Sequence, residues 1–172
     1  MQQAQATPGG RMKLSQSPRT LVLGIGNTIL SDDGVGCRVV EKLKEKIEDP
    51  NIEFREGITT GLKLLDLIVG YDRVIIIDAI QTGKNPPGTL TKLGLKDLTY
   101  SVHSNSPHGI NLASAIELGH QLGVSIPPEI HIYAIEIQDA VTISEKLTLK
   151  VEAAIPSIVE KIVNELKELQ SN

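Results

Sequence analysis

The segment that most restricts the fold of this chain is 73–78, which reads Arg-Val-Ile-Ile-Ile-Asp. A run of four β-branched residues favours an extended strand. The run has no polar position on either alternating face, which predicts a strand covered on both sides. Strands of this kind are typical of parallel sheets that lie between two layers of helices. We therefore expect an α/β fold.

The rest of the chain alternates between strand-like and helix-like segments. Polar and apolar positions alternate in 52–55 and 89–93, which predicts edge strands, and Pro156 is expected to kink or split the last helix. The order β-α-β-α-β-β-α-β-α predicts a three-layer α/β/α fold, with an open, twisted, mostly parallel five-stranded sheet and helices on both faces. The remaining predicted strands are 20–25, 73–78 and 129–137, and the predicted helices are about 35–47, 62–70, 110–122 and 145–169.

Length and composition predict a single domain with a short tail. We assign residues 19–172 of the 172-residue chain to one domain, and residues 1–18, rich in Gln, Ser, Pro and Gly, to a disordered N-terminal tail. The tail has no apolar core typical of a signal peptide, and Met12 is a second candidate for the native start. Cys37 is the single cysteine, so no disulfide can form within the chain. This favours a cytoplasmic location.

The charge distribution excludes two classes of partner. The net charge is -4 and lysines and arginines form no cluster, whereas nucleic acids and anionic membranes require a concentrated basic face. Aromatic residues make up only 2% of the chain, which excludes a platform for base stacking. No apolar run is long enough to span a membrane. We therefore expect neither a nucleic acid nor a membrane as partner.

Three polar residues lie where predicted strands run out into loops: Asp33, Asp78 and His108. Ligands of open α/β sheets bind beyond the carboxyl ends of the strands. Two carboxylates and one imidazole at that edge would form a metal site with open coordination positions, which suits a ligand supplied by the substrate. The residues thus indicate a metal-dependent or metal-recognising enzyme.

Each of these residues also has a purely structural interpretation. One of the two adjacent aspartates at 32 and 33 is expected to cap the following helix. Asp78 could cap its loop, and His108 could cap a helix or pair with a carboxylate, with His103 as a competing histidine. Glu56 lies in a polar loop at the same edge, where a simple strand-to-helix turn also fits. Cys37, with two aspartates nearby, is expected to be a packed thiol with a raised pKa.

Two other function classes fit parts of the pattern. The sequence Gly24-x-Gly26 suggests dinucleotide binding, but the third glycine of that fingerprint is replaced by Ile29. A receiver-type phosphoacceptor domain also has an acidic pair after its first strand and an aspartate ending its third. In a receiver domain the acidic pair lies directly at the end of the first strand, and a lysine follows the last strand. Here the acidic pair comes several residues after the strand, and the segment 135–139 at the end of the last strand lacks a lysine.

Four segments together resemble the hydrogenase maturation proteases, the endopeptidases that process the large subunit of nickel–iron hydrogenases. The most specific is 24–36, Gly-Ile-Gly-Asn-Thr-Ile-Leu-Ser-Asp-Asp-Gly-Val-Gly, and the others are 61–65, 77–79 and 106–108. The resemblance covers almost all of 19–169. It implies the same sheet between helix layers and places the metal-contacting residues of the family on Asp33, Asp78 and His108. A further acidic residue falls on Glu56, where Asp is more usual in the family.

The resemblance also implies an unusual role for the metal. The nickel arrives within the precursor and is not a permanent cofactor, and no organic cofactor is implied. The site recognises this nickel and permits removal of a short C-terminal extension from the large-subunit precursor. The nickel could act as a Lewis acid, or as an anchor with Asp33 or Asp78 as general base. A non-catalytic docking or metallochaperone module for the same precursor is the alternative.

Overall fold

The computed structural model describes residues 18–58, 62–94 and 109–171. Residues 1–17 of the predicted tail lie outside this range. A short 3-10 turn, Ser31–Gly34, precedes the first helix. The strands are β1 (Thr20–Ile25), β2 (Ile52–Gly57), β3 (Arg73–Ile80), β4 (Leu90–Leu93) and β5 (Glu129–Glu136), and the helices are α1 (Val35–Lys46), α2 (Leu62–Ile68), α3 (Gly109–Gln121) and α4 (Leu149–Ser171).

The strands form one sheet in the order β2-β1-β3-β5-β4. The strands β2, β1, β3 and β5 are parallel to their neighbours, and β4 pairs antiparallel with β5. The predicted α/β fold with a mostly parallel sheet is therefore confirmed. The two strands predicted to lie at edges, β2 and β4, are the two edge strands.

Burial of β3 follows from its sequence. Every residue from Arg73 to Ala79 is buried, as expected for a central strand with helices on both faces. The side chains of Ile75 and Ile77 join a core cluster with α1 and α4. Those of Val74 and Ile76 join a second cluster with α2 and α3. Alternation along a single strand therefore supplies both halves of the hydrophobic core.

The last helix differs from its prediction in two respects. It begins at Leu149 and not near 145, because the preceding residues are held against the 3-10 turn, where Ser144 bridges Leu30 and the Thr148 N–H donates to Asp32. The helix continues through Pro156 as one element, so the predicted split at this proline is wrong. Among the described residues, no helix is both long and apolar enough to cross a membrane.

The strand order fixes where a ligand can enter. From β1 the chain passes through α1 to β2 on one side, and then through α2 to β3 on the other side of β1. The direction of winding therefore changes between β1 and β3. In sheets of this type a crevice opens at such a point, beyond the carboxyl ends of the strands.

Candidate functional site

The start of α1 lies directly against the ends of the two central strands. A Cβ atom on Gly36 would be 2.4 Å from the carbonyl oxygen of Ile77 and 2.5 Å from that of Ile25. Only glycine permits this approach. The 3-10 turn that leads into α1 consequently contacts β3 at its carboxyl end. The turn carries Asp33, so the local fold brings this residue to the crevice.

Asp33 is held by the loop that follows β1. Its carboxylate Oδ2 accepts a hydrogen bond of 2.8 Å from the backbone N–H of Asn27, and its side chain is buried. The same loop folds back tightly at Gly26, which has a φ of 151° and whose Cβ would be 2.0 Å from the carbonyl oxygen of Asp33. The glycine at 26 is therefore required for the position of the acidic turn.

Asp78 lies near the end of β3, directly after Ile77. It is buried, and its Oδ1 accepts a 2.8 Å hydrogen bond from the backbone N–H of Ala79. Strand alternation places it on the face covered by α2 and α3, and α3 begins at Gly109. Asp33 and Asp78 thus both lie at the carboxyl edge of the sheet beside β1 and β3, the edge that the sequence predicted for both.

The predicted histidine ligand, His108, lies outside the described residues, as does its competitor His103. Within 18–58, 62–94 and 109–171, no group of three His, Cys, Asp or Glu side chains is arranged to hold a metal ion. The described part of the site is therefore a pair of buried carboxylates.

Asp32 has a different role from its neighbour. It is completely buried and accepts hydrogen bonds from the backbone N–H groups of Gln138, Asp139 and Thr148 and from the Thr148 hydroxyl, at 2.6–3.1 Å. The expected helix cap is wrong, since α1 begins after Gly34 without a side-chain cap. Asp32 instead joins the 3-10 turn to the loop before α4.

The 3-10 turn is strained as well as anchored. Ser31 has a φ of 47°, a conformation that costs a non-glycine residue about 1–3 kcal/mol. Two contacts offset this cost: the Ser31 N–H donates to the Ser144 carbonyl at 2.8 Å, and its hydroxyl donates to the Lys146 carbonyl at 3.2 Å. The loop before α4 therefore holds the turn that carries Asp33.

Glu56 lies one strand farther from β3 than the turn that carries Asp33. It is exposed in β2 and pairs in register with Gly24, whose other neighbour across β1 is Ile77. Two strand spacings, about 10 Å, therefore separate Glu56 from the β3 backbone. Its side chain belongs to the α1 face of the sheet, whereas Asp78 belongs to the opposite face. Glu56 also lines a groove of about 520 Å³ beside α2.

Cys37 is a packed thiol, as predicted. Burial raises its pKa to about 11, with further contributions from the charges of Glu56, Glu41 and Asp33. Its Sγ donates weakly to the carbonyl oxygens of Gly24 and Gly26. This thiol stays protonated at neutral pH. Its pKa also shows that Asp33 and Glu56 are both within electrostatic reach of α1.

A buried carboxylate that the sequence interpretation missed, Glu136, lies at the end of β5. Its Oε1 accepts from the N–H groups of Thr82 and Gly83, both at 2.8 Å, and its Oε2 accepts from the Thr82 hydroxyl at 2.7 Å. It thereby fixes the loop that follows β3. The available signal was a single acid between apolar residues at the end of a buried strand.

Comparison with known proteins gives a consistent result. A model of the family described as hydrogenase maturation protease matches residues 37–165. The chain is 33% identical to the hydrogenase 2 maturation protease of Escherichia coli over 152 residues, which is 87% of this chain and 92% of that protein. It is 31% identical to the hydrogenase expression/formation protein HupD of Rhizobium leguminosarum over 161 residues, which covers 88% of this chain and 75% of HupD.

Solved structures show the same fold. The hydrogenase maturating endopeptidase HybD from Escherichia coli superposes with a TM-score of 0.74 at 32% identity, covering 87% of this chain and 93% of HybD. The nickel–iron hydrogenase maturation protease HybD from Thermococcus kodakarensis superposes with a TM-score of 0.63 at 25% identity, covering 86% of this chain and 98% of that protein.

Proposed function

Because this chain belongs to the hydrogenase maturation protease family, we propose that it is an endopeptidase that removes the C-terminal extension of a nickel–iron hydrogenase large-subunit precursor after nickel insertion. The observation that supports this most directly is the position of Asp33 and Asp78. Both carboxylates are buried, and they lie at the carboxyl edge of the sheet beside β1 and β3, where ligands of such sheets bind.

We assign recognition of the precursor's nickel to Asp33, Asp78 and His108. Carboxylate oxygens and an imidazole nitrogen are suitable ligands for Ni²⁺. Three protein ligands leave positions for the precursor's own ligands, which fits a metal that is carried by the substrate. Glu56 is assigned a secondary role at the rim, since it lies beyond β1 from Asp78 and is exposed.

The residues fit cleavage by an activated water. A carboxylate of the pair removes a proton from water as it attacks the scissile carbonyl, and the proton then passes to the leaving amine. Nickel bound to the carbonyl oxygen would stabilise the negative charge that develops there. Cys37 is unsuited to forming an acyl-enzyme, because it is buried and its pKa is about 11.

The structure argues against the receiver-type alternative. Such a domain requires both members of its acidic pair at the phosphorylation site. Here Asp32 accepts four hydrogen bonds from the loop before α4, so its carboxylate is already engaged in holding that loop. We also place the reaction in the cytoplasm, because a chain with one buried cysteine suits a reducing compartment.

The decisive test uses purified precursor in nickel-loaded and nickel-free forms. Wild-type protein should release the C-terminal peptide from the loaded form only, as measured by the mass of the precursor. Asp33→Asn, Asp78→Asn and His108→Ala should each abolish release. The two asparagine variants should stay folded, because an amide oxygen can still accept the bond from Asn27 or Ala79.

Asp72→Asn is the matched control for these variants. Its carboxylate also accepts one backbone N–H, that of Arg19 at 2.8 Å, but it lies at the opposite edge of the sheet and should not affect cleavage. Full activity in all three site variants would refute the assignment. Tight binding of the loaded precursor without any change in its mass would instead support a docking or metallochaperone role.

A further inference from the structure

Three large apolar side chains are exposed near the candidate site. The exposed fractions are 52% for Ile29, 83% for Val141 and 84% for Ile143. Single exposed apolar residues are common on proteins, but a group on adjoining loops marks a binding surface more often. We call Ile29, Val141 and Ile143 the apolar patch.

Backbone pairing brings the two isoleucines together. Leu30 and Ser144 form a parallel bridge, in which the Ser144 N–H donates to the Ile29 carbonyl at 3.0 Å. Ile29 and Ile143 directly precede the bridged residues. The backbones of Ile29 and Ile143 therefore lie next to each other, and both side chains are exposed beside the bridge.

The loops that carry the patch are firmly held. Asp32 anchors the loop before α4 through Gln138, Asp139 and Thr148. Within that loop, the Asp139 carboxylate accepts hydrogen bonds from the N–H groups of Val141 and Thr142, at 2.9 and 3.0 Å. The apolar side chains are thus presented by a pre-organised backbone, which lowers the entropy cost of binding a partner.

The patch is continuous with the site. Ile29 lies four residues before Asp33, in the loop that leads into the 3-10 turn, so the patch adjoins the segment that carries Asp33. A stable dimer between copies needs about 800 Å² from each partner, more than three side chains supply. The patch is therefore suited to be one part of a larger contact that includes the crevice.

We propose that the apolar patch binds an apolar segment of the large-subunit precursor next to its cleavage site, and so positions that site over Asp33. This inference rests on the proposed function for the identity of the partner. The contact is made equally in the bound substrate and during the reaction. Its loss should therefore raise KM and leave kcat unchanged.

The test compares Val141→Ser/Ile143→Ser with wild-type protein and with Leu122→Ser. Leu122 is 65% exposed just after α3, at the opposite edge of the sheet, and serves as the matched control. The double variant should bind the purified precursor at least about tenfold more weakly by calorimetry, with a matching rise in KM. Leu122→Ser should bind like wild type. Circular dichroism melts of all variants verify that they are folded.

Binding and cleavage are measured separately, so the two proposals can fail independently. If wild-type protein binds the precursor without cutting it and the double variant binds more weakly, this inference stands and the protease proposal fails. If the double variant binds and cleaves like wild type, this inference is wrong and the protease proposal stands. If the wild-type protein is a dimer and the double variant is a monomer with unchanged precursor binding, the patch contacts a second copy of the chain, and this inference is also wrong. Failure of wild-type protein to bind the precursor at all overturns it too.

Discussion

Replacing Asp32 by alanine should weaken the fold more than its position in a surface turn suggests. The side chain is completely buried, and its removal leaves three backbone N–H groups and one hydroxyl without their acceptor. A buried donor that loses its partner costs about 1–3 kcal/mol. Water can reach some of these donors, because Gln138 is exposed and Thr148 is partly exposed.

We therefore expect Asp32→Ala to lower the free energy of unfolding by about 3–5 kcal/mol, because some of the four donors lose their acceptor without gaining water in its place. A domain of this size has a total stability of about 5–15 kcal/mol, so the variant should still fold. Its melting temperature should fall by roughly 6–20 °C. The measurement is equilibrium urea unfolding at pH 7.5, followed by circular dichroism.

Two further variants distinguish the hydrogen bonds from the charge. Asp32→Asn should be nearly as harmful as the alanine variant, because an amide has one oxygen. In one orientation of the amide its NH₂ group faces the backbone N–H of Thr148, and in the other it faces those of Gln138 and Asp139. Either way, a donor faces a donor. Thr148→Val removes only the hydroxyl contact and should cost about 1 kcal/mol. A loss below about 1 kcal/mol for Asp32→Ala would refute this account of the turn.

Two other perturbations test the packing and the electrostatics. Gly36→Ala should prevent folding or destabilise the protein severely, because its Cβ would meet backbone oxygens at 2.4 and 2.5 Å. The Cβ of Gly119→Ala would meet the flexible ends of side chains first, so this variant should lose little stability. Equal stability of the two variants in urea unfolding would contradict the close approach of α1. Burial, with Lys92 and Arg73 nearby, lowers the pKa of His131 in the folded protein, and Glu129 opposes this shift. As pH falls, His131 therefore binds a proton more readily in the unfolded chain than in the folded protein. This stabilises the unfolded state, so the contribution of His131 to the free energy of unfolding is fully present above pH 6.5 and is lost as the pH falls below it. In a comparison of urea unfolding at pH 7.5 and 5.5, His131→Gln should show a smaller decline than wild type, and an identical decline would exclude this contribution.

The sequence predicted those features that local patterns determine. The apolar run of β3 implied a central parallel strand, and the alternation in β2 and β4 implied edge positions. The positions of Asp33 and Asp78 at strand ends implied that they share one edge of the sheet. All of these follow from short-range periodicity and from the geometry of parallel sheets.

Features that depend on distant residues were not predictable in the same way. The partners of Asp32 lie 106–116 positions away along the chain, so no local pattern indicated them, and the expectation that one of the two aspartates caps the helix was wrong. The start of α4 is displaced because Ser144 pairs with Leu30, a contact that no local pattern indicates.

The hydrogen bonds of Asp32 also determine when, during synthesis of the chain, the turn that carries Asp33 becomes anchored. A chain emerges from the ribosome from its N-terminus. Asp33 and Asp78 are therefore available long before Thr148, which lies 116 residues after Asp32. The turn that carries Asp33 gains this anchor only after residue 148 has been synthesised. A nascent or truncated chain that ends before this point contains both carboxylates but lacks the contacts through which Asp32 anchors the turn.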